Sequence, residues 1–349
     1  MEILKALVLC CSALAGLSAA PQHGQSPPLI DHHQHLFSPA TTALARDIAP
    51  VSADDLVRLL DEAGIRRAAV FSLAYQFGNP NKPRVDDEYD KVKAENNWTS
   101  TQVARFPDRL RGFCSVNPLK DYALGEVKRC AQDSQLRLGL KLHFGNSDVD
   151  LENPQHVAKL RSVFRTANAN RMAIVVHLRS SVTRRRPYGK TQAQVFLNDV
   201  MPAAPDVPVQ IAHLAGAGGY DDPAVDEALR EFIQAIANAD PRMTHLYVDV
   251  SGVAGIGQWK DKANLVALRI RQLGVHRVLY GSDGTTDLLR PRDAWAAFRN
   301  LPLSKAELRT IASNAVPYMR KNWSPETVGD EILAISHPWP WVWNWRPLH

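Results

Sequence analysis

The run Asp31-His32-His33-Gln34-His35 closes an apolar stretch and carries two imidazoles, His33 and His35, separated by one residue. In an extended strand alternate side chains share a face, so this pair points one way and can grip a single cation. Three further short apolar segments end in a residue able to ligate a metal or move a proton: Val-Val-His177, Ile-Ala-His213 and Leu-Tyr-Gly-Ser-Asp283. A lone histidine at a strand end is commonly a hydrogen-bonded structural residue. That account is hard to extend to every one of these ends together. Imidazoles with a carboxylate suit a borderline divalent ion, zinc first, with manganese, iron or cobalt as alternatives. Such an ion lowers the pKa of bound water to about 7 and polarises a carbonyl oxygen.

Bringing these residues to one place requires parallel strands joined by crossover helices, and the chain alternates apolar runs with amphipathic stretches in that manner. Eight candidate strands cover residues 29–37, 67–74, 110–116, 139–144, 172–178, 209–214, 246–250 and 277–280. Helical patterns cover 52–63, 87–106, 122–132, 154–169, 191–201, 223–237 and 262–273, followed by 291–300 and 304–319. The last opens with the capping-box spacing Ser304-x-x-Glu307. Eight strand-helix units imply an α/β fold, a closed (β/α)8 TIM barrel. The alternative is an open doubly wound sheet, but the first strand-helix turn lacks a Gly-x-Gly-x-x-Gly loop. In a parallel barrel all C-terminal strand ends open on one face, so His33, His35, His177, His213 and Asp283 converge there. Lys141 and His143 share a face of the fourth strand and join them. Lys141 reads as an inward cation for a substrate carboxylate, as a modified ligand for a second metal, or as a rim lysine.

The 349 residues, 45% hydrophobic and 22% charged, are ordinary globular composition, and one barrel domain of this size is permitted. The net charge of +5 comes from scattered residues apart from Arg184-Arg185-Arg186, too little for a nucleic-acid footprint. Residues 1–20 combine a charged start, a short apolar core and Ser18-Ala19-Ala20, the pattern of a signal peptide, so the expected location is secreted or periplasmic. Residues 21–27 read as a linker, 28–325 as the barrel and 326–349 as a tail. No segment beyond the signal is long and uncharged enough to span a bilayer. Outside the signal only Cys114 and Cys130 remain, without a Cys-x-x-Cys spacing, which leaves either one disulfide or two buried thiols.

Two loops, 76–89 and 180–190, follow strands and belong at the catalytic rim. Arg179 shares the strand face of His177, and the arginine triplet with Tyr188 follows, so a guanidinium clamp on an anionic substrate is one reading and a solvated loop the other. In the tail Trp339, Trp341, Trp343 and Trp345 alternate with other residues, placing four indoles along one side of an extended strap. Packing on the barrel or on a second subunit is the preferred reading, because such a row left in water invites aggregation. Two Asn-x-Ser/Thr patterns, at Asn97 and Asn322, decide nothing. There is no Gly-x-Ser-x-Gly elbow, His-Glu-x-x-His helix or phosphate loop.

Taken in order, these motifs resemble a known family. Ile30 to His35, Phe106-Pro107-Asp108-Arg109-Leu110-Arg111-Gly112-Phe113, Gly139-Leu140-Lys141-Leu142-His143, Val176-His177, Ala212-His213-Leu214-Ala215-Gly216, Leu279 to Asp283 and Ser313-Asn314-Ala315 are similar to the amidohydrolase-related branch of the amidohydrolase superfamily. That branch includes aminocarboxymuconate-semialdehyde decarboxylase and 2-pyrone-4,6-dicarboxylate lactonase. The resemblance implies a distorted barrel with one divalent metal held by His33, His35, His177 and Asp283. It also implies that His213 sits beside the metal-bound water as proton acceptor or electrostatic partner, and that Asp283 passes the proton toward the leaving group. A second metal through a modified Lys141 is the lesser alternative.

The expected activity is hydrolysis of a lactone, ester or amide carbonyl in a small carboxylate-bearing substrate, with Lys141, Arg179 and Tyr188 as substrate contacts. A non-oxidative decarboxylase on the same metal site is the runner-up, and a non-catalytic binding module the third reading. A small molecule is the expected partner, with a homo-oligomer open.

Overall fold

The computed structural model describes residues 26–44, 48–252, 260–284 and 290–320. The expected signal peptide, most of the linker and the tryptophan strap lie outside these residues. Eight strands run β1 (Ile30–Gln34), β2 (Arg67–Phe71), β3 (Leu110–Ser115), β4 (Gly139–His143), β5 (Ala173–His177), β6 (Val209–Ile211), β7 (Leu246–Asp249) and β8 (Val278–Leu279). They pair in sequence order, every pair parallel. Two bonds join the last strand to the first: His32 N–H donates to Tyr280 O at 2.9 Å and Asp283 N–H to His33 O at 3.0 Å. This is the TIM barrel of the sequence analysis, each strand within a few residues of its expected place.

The helices among the described residues are α1 (Pro39–Thr42), α2 (Ala53–Ala63), α3 (Glu88–Ala104), α4 (Ala123–Ala131), α5 (Pro154–Ala169), α6 (Lys190–Val195), α7 (Pro223–Ala237), α8 (Ala263–Leu273), α9 (Pro291–Phe298) and α10 (Lys305–Ser313). Their apolar spacing explains their placement. In α7 the buried Val225, Ala228, Leu229 and Phe232 recur at the three- and four-residue interval that faces one stripe to the sheet. Ser52 and Ser304 each close a reciprocal capping box, with Asp55 and Glu307, so local sequence starts α2 and α10 where the barrel needs them.

Two helical expectations are corrected. The stretch expected to be helical over 191–201 is α-helical only to Val195 and then widens into a π-turn over Phe196–Val200, with Pro202 in the short turn beyond. The last helix stops at Ser313, not at 319. Asn314 leaves the helix to donate from Nδ2 to Val275 O at 2.7 Å and Val278 O at 2.6 Å. Pro317 then opens a short turn whose Tyr318 and Met319 enter the floor of the barrel. There they join Ile30, Ala69, Phe71, Phe113, Val175 and Leu279 in a buried inner cluster, while the outward strand residues pack under the helices. Cys114 of β3 and Cys130 of α4 form a disulfide, which resolves the choice left open by the sequence.

Strict alternation from the inner Ile30 would turn His32 and Gln34 into the lumen. The register of β1 against β2 shifts between Asp31 and Gln34, and this bulge reverses the parity. His33 consequently lies edge-on to the inner Phe71, ring centres 4.9 Å apart. On β8 alternation from Leu279 carries through Gly281 to Asp283. A side chain on Gly281 would put Cβ 2.8 Å from the Cβ of His33, so only glycine lets β8 approach β1 this closely.

Candidate metal centre and substrate cavity

At the C-terminal mouth a cavity of about 340 Å³ is lined by His33, His35, His143, His177, His213, Lys141 and Asp283, with Tyr75, Gln76, Lys82 and Asn146 at its wall. The ligand atoms of His33, His35 and Asp283 all lie within 4.8 Å of one another. Asp283 Oδ1 stands 3.7 Å from His35 Nε2 and 4.0 Å from His33 Nε2. A second group within that distance comprises His33, His213 and Asp249. His177 belongs to neither group. Its ring stacks on His143, centres 3.7 Å apart, and meets His213 edge-on at 4.9 Å.

The imidazoles are oriented from behind. His33 Nδ1 faces Asp249 Oδ2 at 3.0 Å, and a carboxylate only accepts, so the proton sits on Nδ1 and Nε2 offers its lone pair to the cavity. His35 Nδ1 likewise donates to Phe71 O at 2.8 Å. His213 Nδ1 donates to Ser251 O at 2.9 Å. The Nε2 lone pairs of His33 and His35 with the Asp283 carboxylate fit a divalent ion of borderline softness. Lys141 Nζ lies 3.2 Å from His33 Nε2 and 5.0 Å from the Phe71 ring centre, a buried cation beside the same donors.

Asp249 is a functional residue the sequence reading missed. It accepts from Gln210 Nε2 at 2.6 Å, His213 N at 3.0 Å, Ser251 N at 3.1 Å and Ser251 Oγ at 2.6 Å, besides His33. Burial alone would raise its pKa, yet the hydrogen bonds from His33 and Ser251 hold it well below the usual carboxylate range. The signal was present in Leu246-Tyr247-Val248-Asp249: an acid ending the seventh apolar run, the test applied to the other strands.

Burial dominates the remaining titrations. It holds the rings of His33, His143 and His177 neutral and brings Lys141 down to about 8, against the opposing pull of Asp249 and Asp283. It raises Asp283 to about 7, with Lys141 acting the other way. A third of the Asp283 side chain, 34%, still opens to the cavity, so water tempers that rise. Backbone strain is concentrated here as well: His213, Leu214 and Ala215 run at φ of 57°, 49° and 65°, and Asp283 sits at 53°. Behind Asp283, Ser282 donates from N to Asp31 Oδ1 at 3.0 Å and from Oγ to Asp31 Oδ2 at 2.5 Å, tying the ends of β8 and β1 together.

Arg179 and Tyr188 do not line the cavity. Arg179 donates to Asp222 Oδ2 at 2.8 Å and stacks over the Tyr188 ring at 4.7 Å, while the Tyr188 hydroxyl donates to Ala215 O. Arg186 forks onto Asp148 with two bonds of 2.9 Å, and Arg184 donates to Asn81 Oδ1 at 2.7 Å and to Pro80 O. Arg184 thus ties the 180–190 loop to the 76–89 loop, and Arg186 ties it to the segment that follows β4. Among the described residues the cations lining the cavity are Lys141 and Lys82, the latter on the 76–89 loop.

The model of the family described as amidohydrolase matches residues 30–315. The chain belongs to the amidohydrolase family, whose members are metal-dependent enzymes. No curated protein matches the sequence. Among solved structures, 5-carboxyvanillate decarboxylase from Sphingomonas paucimobilis is 17% identical, covering 82% of this chain and 97% of its own, with a TM-score of 0.56. A probable 2-pyrone-4,6-dicarboxylic acid hydrolase from Acinetobacter baumannii, with citric acid bound, is 17% identical over 81% of this chain and 96% of its own, TM-score 0.54. A dihydroxybenzoic acid decarboxylase from a Polaromonas species, with manganese and an inhibitor bound, is 16% identical over 82% and 95%, TM-score 0.55. At such identities the likeness is one of fold.

Proposed function

We propose that this amidohydrolase hydrolyses the carbonyl of a lactone, ester or amide in a small carboxylate-bearing substrate. The observation that carries the reading is Asp283: a carboxylate at the open mouth of the cavity whose Oδ1 stands 3.7 Å from His35 Nε2 and 4.0 Å from His33 Nε2, placed to ligate an ion and to exchange a proton with what the cavity holds. His33, His35 and Asp283 would hold the ion, with His177 beside them, and the donor set favours zinc, with manganese as found in the Polaromonas decarboxylase an alternative. A divalent ion here would polarise the scissile carbonyl and acidify water. His213, with Nδ1 committed to Ser251, keeps a lone pair on Nε2 to accept a proton beside the reacting carbonyl. Asp283 carries a proton to the leaving group. Lys141 and Lys82 supply positive charge for the carboxylate. Export to an oxidising compartment accords with the signal-like first residues and the Cys114–Cys130 disulfide.

The test is metal analysis of the purified protein with a screen of lactones and carboxylated esters. His213→Asn is expected to keep the metal and lose turnover. A decarboxylase is the second reading, favoured by the five decarboxylases among eight of the structural neighbours. Carbon dioxide release from a hydroxylated aromatic acid, without any ester or lactone hydrolysis, would establish it instead.

A further inference from the structure

The imidazoles around the cavity divide into two kinds by what meets Nδ1. His33, His35 and His213 have acceptors there, the Asp249 carboxylate and the carbonyls of Phe71 and Ser251, so each presents an unprotonated Nε2. His143 is reversed. Its Nδ1 accepts the backbone N–H of Asn146 at 3.1 Å, so the neutral ring must carry its proton on Nε2. A ring in that tautomer has no Nε2 lone pair to give a cation; it has an N–H to give an anion. No described residue bonds that Nε2, and His143 is half-buried in the wall of the cavity.

The ring is also held in place. It stacks face to face on His177 with planes 14° apart, and Tyr75 lies on it at 5.2 Å. The turn that supplies the Asn146 N–H is closed by Ser147 N donating to His143 O at 3.0 Å. Charge points the same way: among the described residues lining the cavity Asp283 is the one acid, against Lys82 and Lys141, and the donor set would add a cation.

We propose that His143 is a substrate-binding residue, donating Nε2–H to a carboxylate oxygen of the substrate while the neighbouring Nε2 atoms hold the metal, so that this site selects carboxylates over their neutral counterparts. The inference rests on the cavity being the substrate site proposed above, and is independent of which bond is cleaved.

Two measurements test it. In the metal-loaded wild type, long-range proton–nitrogen NMR correlations of the His143 ring should show Nε2 protonated and Nδ1 bare; a proton on Nδ1 overturns the proposal. Calorimetric titration with isophthalate, and with isophthalamide as its neutral counterpart, reads the selection. His143→Phe should keep the wild-type metal content and weaken isophthalate binding roughly tenfold or more, the scale of one hydrogen bond to a charged group, with isophthalamide changed much less. His143→Gln, which retains an N–H donor, should recover most of the loss. Loss of metal in His143→Phe would make His143 a ligand and overturn the proposal, as would equal weakening of both probes or a wild type that does not bind isophthalate. Intact isophthalate selection without hydrolysis of any lactone or ester would sink the hydrolase reading alone.

Discussion

Asp249 Oδ2 lies 3.0 Å from His33 Nδ1, and the carboxylate behind that contact receives four other hydrogen bonds, from Gln210, His213 and Ser251. All but the Gln210 bond orient something at the mouth: the ring of His33, the left-handed turn that begins at His213, and Ser251, which in turn fixes His213. Removing the charge while keeping the shape should therefore loosen the metal rather than the fold. In Asp249→Asn the amide nitrogen must face a donor in at least one of these contacts, and His33 loses the partner that fixes its tautomer. Metal dissociation constants are expected to rise between about 10- and 100-fold, read by competition with a chromogenic chelator. Unchanged affinity would remove Asp249 from the centre.

The barrel was legible because each crossover repeats one physical pattern, an apolar strand followed by an amphipathic helix, and strand ends that carry His33, His35 and Asp283 must share a face once the sheet closes. Other features depend on partners far apart in the chain. Arg186 meets Asp148 and Asp150 across a separation of 38 and 36 residues, so two arginines of a triplet open to two readings, anion clamp or solvated loop, are paired with acids of a neighbouring loop. The reach of Tyr318 into the barrel floor is equally silent in sequence, since it needs the inner face of Phe113 to exist first. The alternation rule correctly paired His33 with His35, but the bulge that turns both inward is a property of the β1–β2 register.

Lys141 distinguishes one metal from two. Its Nζ sits 3.2 Å from His33 Nε2, close enough to compete with a cation for that lone pair. If its role is positive charge toward substrate, Lys141→Met should leave about one equivalent of metal per chain and raise KM for a carboxylated substrate by roughly tenfold, the worth of one charged hydrogen bond. If a modified lysine bridges two ions, the same substitution should halve the metal content. Elemental analysis beside KM separates the two.

Glu95 of α3 gives the protein a pH-dependent stability that has nothing to do with catalysis. The carboxyl is buried; Oε2 accepts from Ser38 Oγ at 2.5 Å and Oε1 has no partner among the described residues. Burial raises its pKa from 4.5 to about 7, and the Ser38 bond opposes this only in part. Between those values the folded protein binds a proton that the unfolded chain has released, so stability is highest below about 4.5, falls as pH rises to about 7, and is level beyond. The loss from this group is on the order of 3 kcal/mol. Urea unfolding of the wild type and Glu95→Gln should show the variant relatively more stable at pH 8 than at pH 5, and a constant difference across that range would contradict the assignment.

Gly139 opens β4 directly beneath the ring of Phe113, and a Cβ built there would lie 2.0 Å from the ring's Cε1 and 2.3 Å from Cδ1. Phe113 cannot retreat easily, because Phe71 packs on it at 5.1 Å and Tyr318 at 4.9 Å inside the closed barrel. Gly139→Ala should therefore overpack the inner cluster and cost about 1–3 kcal/mol or more, although alanine favours a strand no less than glycine does. Shrinking the obstruction supplies the control. Phe113→Leu alone leaves a void and destabilises, but in Phe113→Leu with Gly139→Ala the new methyl group occupies space the smaller side chain has vacated. The double variant should be more stable than the sum of the two single losses allows, a coupling of about 0.5–3 kcal/mol in a double-mutant cycle followed by urea unfolding. Additive losses would mean that the strand relieves the clash by moving, and that the Gly139–Phe113 contact does not fix the height of β4, on which Lys141 and His143 are carried into the cavity.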